Sequence, residues 1–150
     1  MDNQHQIATL KALADCPSHS RTDVRIRDLT MVIDEPVIRG GTNLGPTPTD
    51  TILAALIACT NVIGHKCAQS LELDLGNLTI AATCEFDRRG VTLQDEIDLP
   101  FISVHLDIAA DGALGAADLD RVATEARRFC PVSKLLESAG TRLTTQWRKA

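Results

Sequence analysis

The chain has 150 residues, the usual size of one domain, and 44% of them are hydrophobic, which is enough to bury a sizeable core. Its formal net charge of -5 argues against nucleic-acid binding, because nucleic-acid binders present basic surfaces. Three Phe, one Trp and no Tyr leave few rings for stacking on bases or sugars. The composition therefore indicates a globular protein with an aliphatic core.

The N-terminal sequence MDNQHQIATL has neither the basic segment nor the apolar segment of a secretory signal. The longest uncharged stretch, residues 51–65, is shorter than the ~18 to 20 apolar residues that cross a bilayer. We therefore expect a soluble cytoplasmic protein that binds neither membrane nor nucleic acid. In that compartment cysteines stay mostly reduced. The chain has five of them: Cys16, Cys59, Cys67, Cys84 and Cys130.

The first half of the chain predicts an N-terminal arm, a hairpin, a loop and a long helix. Polar residues 1–22 predict the arm, and residues 23–150 are expected to form a single domain. Segment 24–33 alternates as strands do, with a turn at Arg27-Asp28, and Asp34-Glu35-Pro36 breaks the strand pattern. The sequence RGGTNLGPTP, residues 39–48, is typical of a loop, and the long helix follows from 49 to about 73.

The second half of the chain contains the remaining strands and helices. Runs of Ile, Val, Thr and Leu predict strands, and charged amphipathic patterns predict helices. The expected elements are two strands, two helices and a final strand, at residues 77–87, 99–108, 116–129, 131–138 and 141–147. This order indicates an α+β fold.

The long helix has a strong start signal and an unusual composition. In Thr47-Pro48-Thr49-Asp50, Thr47 is a suitable N-cap, Pro48 fits the first helical position, and Asp50 can bond back to the cap N–H. From 51 to 64 the helix is apolar on nearly every side, whereas a surface helix shows one apolar stripe. A single sheet hardly covers such a helix, so we predict a homodimer with this helix at its centre.

Two cysteines are the candidate reactive groups. Cys59 lies in the apolar part of the long helix, where a free Cys also serves as a small hydrophobic residue. Cys130 precedes Pro131, which places it at the N-cap of the short helix, where amide N–H groups favour a thiolate. Arg127 and Arg128 precede it and add positive charge. The two thiols are either a redox pair or two structural residues.

The paired motifs resemble a known family. GPTPTDTILAALIACT, followed much later by CPVSKLL, is similar to the OsmC/Ohr family of osmotically inducible and organic hydroperoxide resistance proteins. The stretch IDEPVIRGGTNLGPTPTD resembles an uncharacterised OsmC-like branch, and the resemblance runs from about residue 24 to the C-terminus. It implies an intertwined α+β homodimer, with two long central helices packed together and strands wrapped around them.

The resemblance also implies an activity, namely thiol-dependent reduction of organic hydroperoxides. By position, Cys59 would be the peroxidatic cysteine and Cys130 the resolving cysteine. Their disulfide would be reduced by an external dithiol, for which a lipoyl-type compound is a candidate. No cofactor or metal is expected, since the order C-x5-H-x-C from Cys59 to Cys67 is not a standard zinc spacing.

Better-known family members carry a Glu just inside the long helix and an Arg from an upstream strand or loop. Here Asp50 is the nearest acid, with Thr49 in the other register, and Arg39 is the closest arginine. Arg25 and Arg27 are the remaining arginine candidates. The alternative function is a non-catalytic dimer on the same scaffold that binds a small ligand or senses redox state.

Overall fold

The computed structural model describes residues 6–150, which divide into two compact units, one ending at Ile52 and the other spanning Leu53–Ala150. The described residues form three α-helices and two three-stranded sheets, which confirms the predicted α+β class. The predicted division into residues 1–22 and 23–150 stays a prediction.

The first unit contains an antiparallel sheet of β1 (Leu13–Asp15), β2 (Thr22–Ile26) and β3 (Leu29–Ile33), in that order. The predicted hairpin is confirmed, and Arg27 takes a left-handed turn conformation with φ of 57°. Strand β1 falls inside the segment expected to be irregular. Three exposed residues carry too short a pattern to predict a strand, and β1 exists because its backbone pairs with β2.

Helix α1 runs over Pro48–Ser70, and its predicted start is confirmed. The Asp50 N–H donates to Thr47 Oγ1 at 3.1 Å, and the Thr47 N–H donates to Asp50 Oδ2 at 3.3 Å, which is a reciprocal capping box. By length and composition alone α1 is apolar enough to cross a membrane, but the core helix of a soluble protein passes the same test. The cytoplasmic location stays a prediction.

The second unit contains a sheet in which β5 is central. Strand β4 pairs with β5 antiparallel, and β6 pairs with β5 in parallel, so the chain must cross over between β5 and β6. Helices α2 and α3 form that crossover. The bounds are β4 (Leu78–Phe86), β5 (Phe101–Ala110), α2 (Ala116–Phe129), α3 (Pro131–Ala139) and β6 (Arg142–Lys149).

The core of the second unit lies on one face of this sheet. The register sets Cys84 beside Val104 and Val104 beside Leu143, so alternate residues of all three strands share that face. Leu56 of α1 and Leu136 of α3 pack into the same cluster. Cys84 therefore belongs to the core face of β4.

Candidate functional site

Helix α1 buries only one stripe within its own chain. Its buried residues recur at intervals of three or four: Leu56, Thr60, Gly64, Cys67 and Ala68. Apolar side chains on the other sides stay accessible, among them Ile52 at 40% and Val62 at 49% relative exposure. The helix that the sequence predicts to be buried all round is therefore covered along one side in the single chain.

The structure brings Cys59 and Cys130 together. Cys59 is half-buried on α1, and Cys130 lies close enough to raise the pKa of the Cys59 thiol. Cys130 is 2% exposed and is the N-cap of α3, as its position before Pro131 predicts. The Ser133 N–H donates to Cys130 Sγ at 3.4 Å. Two thiols 71 positions apart in sequence thus meet at the N-terminus of one helix.

The environment of Cys59 holds its thiol in the neutral form. Burial is the largest cause that raises the pKa of Cys59, and the neighbouring Cys130 raises it further. The backbone N–H of Val132 opposes this shift, because it donates to the Cys59 sulfur. A thiol with a raised pKa is a weak nucleophile at neutral pH, so chemistry at Cys59 requires an added positive charge.

The two arginines before Cys130 are engaged with carboxylates. Arg127 Nη2 lies 2.5 Å from Glu137 Oε1 and so links α2 to α3. Arg128 Nη1 lies 2.9 Å from Glu125 Oε1, and its guanidinium covers the ring of Phe129. The sequence predicts positive charge near Cys130, and in the structure both guanidinium groups are paired with carboxylates.

A small cavity adjoins Cys130 inside the second unit. Its volume is about 20 Å³. This is close to the minimum that holds one water molecule, ~10 to 15 Å³. Thr60, Ala126, Ser133 and Trp147 line it together with Cys130. A mainly apolar space that is large enough for one water molecule therefore lies next to the candidate resolving thiol.

Arg39 lies in the first unit, in a loop that is held by a buried carboxylate. Asp34 is 0% exposed, and it accepts hydrogen bonds from the N–H groups of Glu35, Thr42 and Leu44 and from the Thr42 hydroxyl. These bonds, led by the Thr42 hydroxyl, hold the pKa of Asp34 far below its usual range. The loop closes where the Asp34 N–H donates to Pro46 O at 3.0 Å.

Close backbone approaches explain two glycines of this loop. A Cβ at Gly41 would lie 1.9 Å from Glu35 O, and a Cβ at Gly45 would lie 2.1 Å from Val32 O. Only glycine fits at either position. Arg39 itself is exposed, and its Nε lies 2.6 Å from Glu35 Oε2. The sequence treats Asp34 merely as a strand breaker, because its hydrogen bonds form with residues up to ten positions later.

The remaining candidates have structural partners. The carboxylate of Asp50 is part of the α1 cap, and Thr49 Oγ1 lies 3.0 Å from Thr47 Oγ1. Arg25 pairs with Asp15 at 2.6 Å on the surface, and Arg27 forms the exposed hairpin turn. Within residues 6–150 no cluster of three or more His, Cys, Asp or Glu side chains is arranged to hold a metal.

The sequence and the fold are similar to those of known proteins. The family model for OsmC-like proteins matches residues 41–146. The OsmC-like protein from Mycoplasma pneumoniae is 13% identical with a TM-score of 0.79, over 95% of this chain and 98% of that one. An organic hydroperoxide resistance protein OsmC from Legionella pneumophila is 17% identical with a TM-score of 0.67, over 93% and 98%.

A third solved structure is also similar to this chain in fold at low sequence identity. The organic hydroperoxide resistance protein OhrB of Bacillus subtilis is 18% identical with a TM-score of 0.64, over 94% of this chain and 98% of that one. No curated protein sequence is a significant match. At these identities the solved structures establish a shared fold, and the family model establishes the relationship in sequence.

Proposed function

Since the chain belongs to the OsmC-like protein family, we propose that it is a thiol-dependent peroxidase that reduces organic hydroperoxides through Cys59 and Cys130. The proximity of Cys130 to Cys59, close enough to raise the pKa of the Cys59 thiol, is the observation that carries the proposal. Two structural neighbours are named organic hydroperoxide resistance proteins, which is consistent with this activity.

The proposed cycle needs only the two sulfurs, a hydroperoxide and a dithiol. The Cys59 thiolate attacks the terminal peroxide oxygen, the O–O bond breaks, and the leaving alkoxide takes a proton to become an alcohol. Cys59 is then a sulfenic acid. The Cys130 thiol condenses with it, which forms the disulfide and releases water. An external dithiol supplies two electrons and restores both thiols.

The first step requires help, because burial raises the pKa of Cys59. By resemblance, Arg39 supplies the positive charge that ionises this thiol, and Asp50 is the acid that orients it. The buried Asp34 keeps the Arg39 loop in one conformation, and Glu35 already restrains the guanidinium. Pre-arranged charge of this kind costs little reorganisation during the reaction.

The functional unit in this proposal is a homodimer. The apolar side chains that α1 leaves accessible, including Ile52 and Val62, lie outside the stripe that its own chain covers. A contiguous apolar surface on a helix is typical of a protein interface. A second copy of α1 packed against this surface would cover it.

Consumption of cumene hydroperoxide in the presence of dithiothreitol tests the activity. We expect the wild-type protein to consume peroxide and the Cys59→Ser variant to match the dithiol alone. Cys130→Ser is expected to complete the first step and to accumulate a sulfenic acid that dimedone traps on Cys59. Equal rates for wild-type protein and Cys59→Ser would refute the proposal.

A non-catalytic role has one observation in its favour. The raised pKa of Cys59 keeps its thiol neutral and weakly nucleophilic, as suits a protein that binds a small ligand without reacting with it. Native mass spectrometry of the purified protein distinguishes the two functions. A co-purified small molecule together with no peroxide turnover would support the non-catalytic dimer.

A further inference from the structure

The two sulfurs of the candidate site differ in how a reductant reaches them. We propose that the reducing dithiol attacks Sγ of Cys59 and that Cys130 is the sulfur that leaves first. The inference rests on the proposed Cys59–Cys130 pair, and it adds the direction in which their disulfide opens. The choice matters because attack on one sulfur makes the other the leaving group.

Burial decides against attack on Cys130. This residue is 2% exposed within its own chain, whereas Cys59 is half-buried. Association with a second copy can only cover more surface, so no assembly makes Cys130 more accessible than it is here. A thiolate must approach a disulfide sulfur directly, so the burial of Cys130 leaves Cys59 as the sulfur that is attacked.

The cavity beside Cys130 does not offer another route. Its volume of about 20 Å³ is suited to one water molecule and leaves no room for a sulfur with its attached carbon atoms. Ala126 and Trp147 contribute apolar lining there. A reductant that came from this side would have to displace the packed ends of α2 and β6.

The N-terminus of α3 stabilises Cys130 as a leaving group. The Ser133 N–H donates to Cys130 Sγ at 3.4 Å, and Cys130 is the N-cap of that helix. Both the hydrogen bond and the positive end of the helix dipole face the negative charge that develops on this sulfur as the disulfide opens. A thiol that is more stable as its thiolate leaves faster in disulfide exchange.

The steps balance as follows. A thiolate of the dithiol attacks Sγ of Cys59, the Cys59–Cys130 bond breaks, and Cys130 leaves as a thiolate that takes a proton from solvent. The second thiol of the reductant, deprotonated, then attacks the reductant sulfur of the mixed disulfide. Cys59 leaves as a thiolate, and the dithiol departs as a disulfide that is oxidised by two electrons.

Trapping of the mixed disulfide tests the direction in the unaltered protein. Diamide would be used to oxidise the thiol pair, so that no peroxidase activity is needed. The oxidised protein would be mixed briefly with 2-mercaptoethanol, a monothiol, quenched with acid, alkylated and digested for peptide mass spectrometry. We expect mercaptoethanol on Cys59 and the alkyl group on Cys130, in roughly tenfold excess over the reverse pattern, because disulfide exchange depends on access to the attacked sulfur.

The other outcomes overturn the inference in distinguishable ways. Mercaptoethanol mainly on Cys130, or equally on both, contradicts the direction while leaving the redox pair intact. Failure of diamide to link Cys59 to Cys130 removes the pair and the inference together. A diamide-formed disulfide that opens at Cys59 supports the inference even when the protein consumes no peroxide.

A backbone variant tests the leaving group. Ser133→Pro removes the N–H that reaches Cys130 Sγ, and proline is tolerated in the first turn of a helix. We expect dithiothreitol to reduce the diamide-oxidised variant several-fold more slowly, as read from the fluorescence of Trp147, the one tryptophan of the chain. Leu135→Ala, on the exposed face of α3, is the control with an unchanged rate. An unchanged rate in a folded Ser133→Pro protein would contradict the role of this N–H.

Discussion

At the scale of single residues, the pKa values of Cys59 and Asp34 shift in opposite directions although burial acts on both in the same sense. The half-buried Cys59 thiol has a raised pKa, because burial disfavours its charged form. The fully buried Asp34 carboxyl has a lowered pKa, because four hydrogen bonds to its oxygens outweigh the same desolvation. Local donors therefore decide which buried group is charged.

The first prediction concerns the influence of Cys130 on Cys59. The Cys130 thiol raises the pKa of Cys59 both through a hydrogen bond and through its charge. Cys130→Ala removes both effects and leaves burial, so we expect the pKa of Cys59 to fall relative to the wild-type protein. The pH dependence of Cys59 alkylation by iodoacetamide, followed by peptide mass spectrometry, measures this. A higher midpoint in the variant would contradict the expectation.

The second prediction concerns Asp34. Its pKa is lower in the folded protein than the unfolded value of about 3.9, so it adds stability above that pH and loses it as the pH falls. We expect Asp34→Asn to lower the Tm at pH 7, with a difference that narrows toward pH 3. Thermal unfolding monitored by circular dichroism at pH 7 and at pH 3 measures the Tm of the wild-type protein and of the variant. The matched control is Asp28→Asn in the exposed turn, for which we expect no comparable pH-dependent difference.

At the scale of elements, local patterns predicted the helices well and the edges of sheets poorly. Helix α2 has the bounds that its charged amphipathic pattern predicts, and the capping box of α1 is visible in four consecutive residues. Strand β1 was not predicted, because only its pairing with β2 orders it. At Asp34 the sequence pattern predicted only the end of a strand, because the hydrogen bonds of this loop join residues that no short pattern connects.

The third prediction concerns the packing of α1 in the second unit. Leu56 is 0% exposed and touches the core cluster of β5, β6 and α3. We expect Leu56→Ala to reduce the free energy of unfolding by ~2 to 5 kcal/mol, through lost burial and a residual cavity. Leu135→Ala, at a side chain that is 68% exposed, should change it by less than ~0.5 kcal/mol. Urea unfolding measures the free energy of unfolding of both variants. Similar losses of this free energy in the two variants would contradict the packing of Leu56.

At the scale of the whole molecule, the order of elements predicted the fold class. Only the family resemblance predicted that Cys59 and Cys130 lie close together. Helix α1 and the α2–α3 crossover converge on the sulfurs through tertiary packing, which no local pattern encodes. The source of the positive charge that Cys59 needs is likewise not encoded in any local sequence pattern. Arg39 lies in the other compact unit, so its assignment to the reaction remains a proposal.

The fourth prediction concerns assembly. If a second copy covers the accessible side of α1, Val62→Asp places a charge within an apolar interface and should convert the dimer into monomers. Leu135→Asp introduces the same charge at an exposed leucine of α3 and should leave the assembly unchanged. Light scattering coupled to size-exclusion chromatography gives the mass of each. A wild-type monomer, or a dimer that persists in Val62→Asp, would contradict the proposed arrangement.

The parallel pairing of β6 with β5 has a consequence for folding. The α2–α3 crossover that bears Cys130 is anchored by β5 before it and β6 after it, through pairs such as Ser103 with Arg142. Pairing between residues so far apart in sequence costs loop-closure entropy before it adds stability, so it forms late. The docking of β6 is therefore the step that aligns the two reactive sulfurs, and their partnership begins only when β6 joins the sheet.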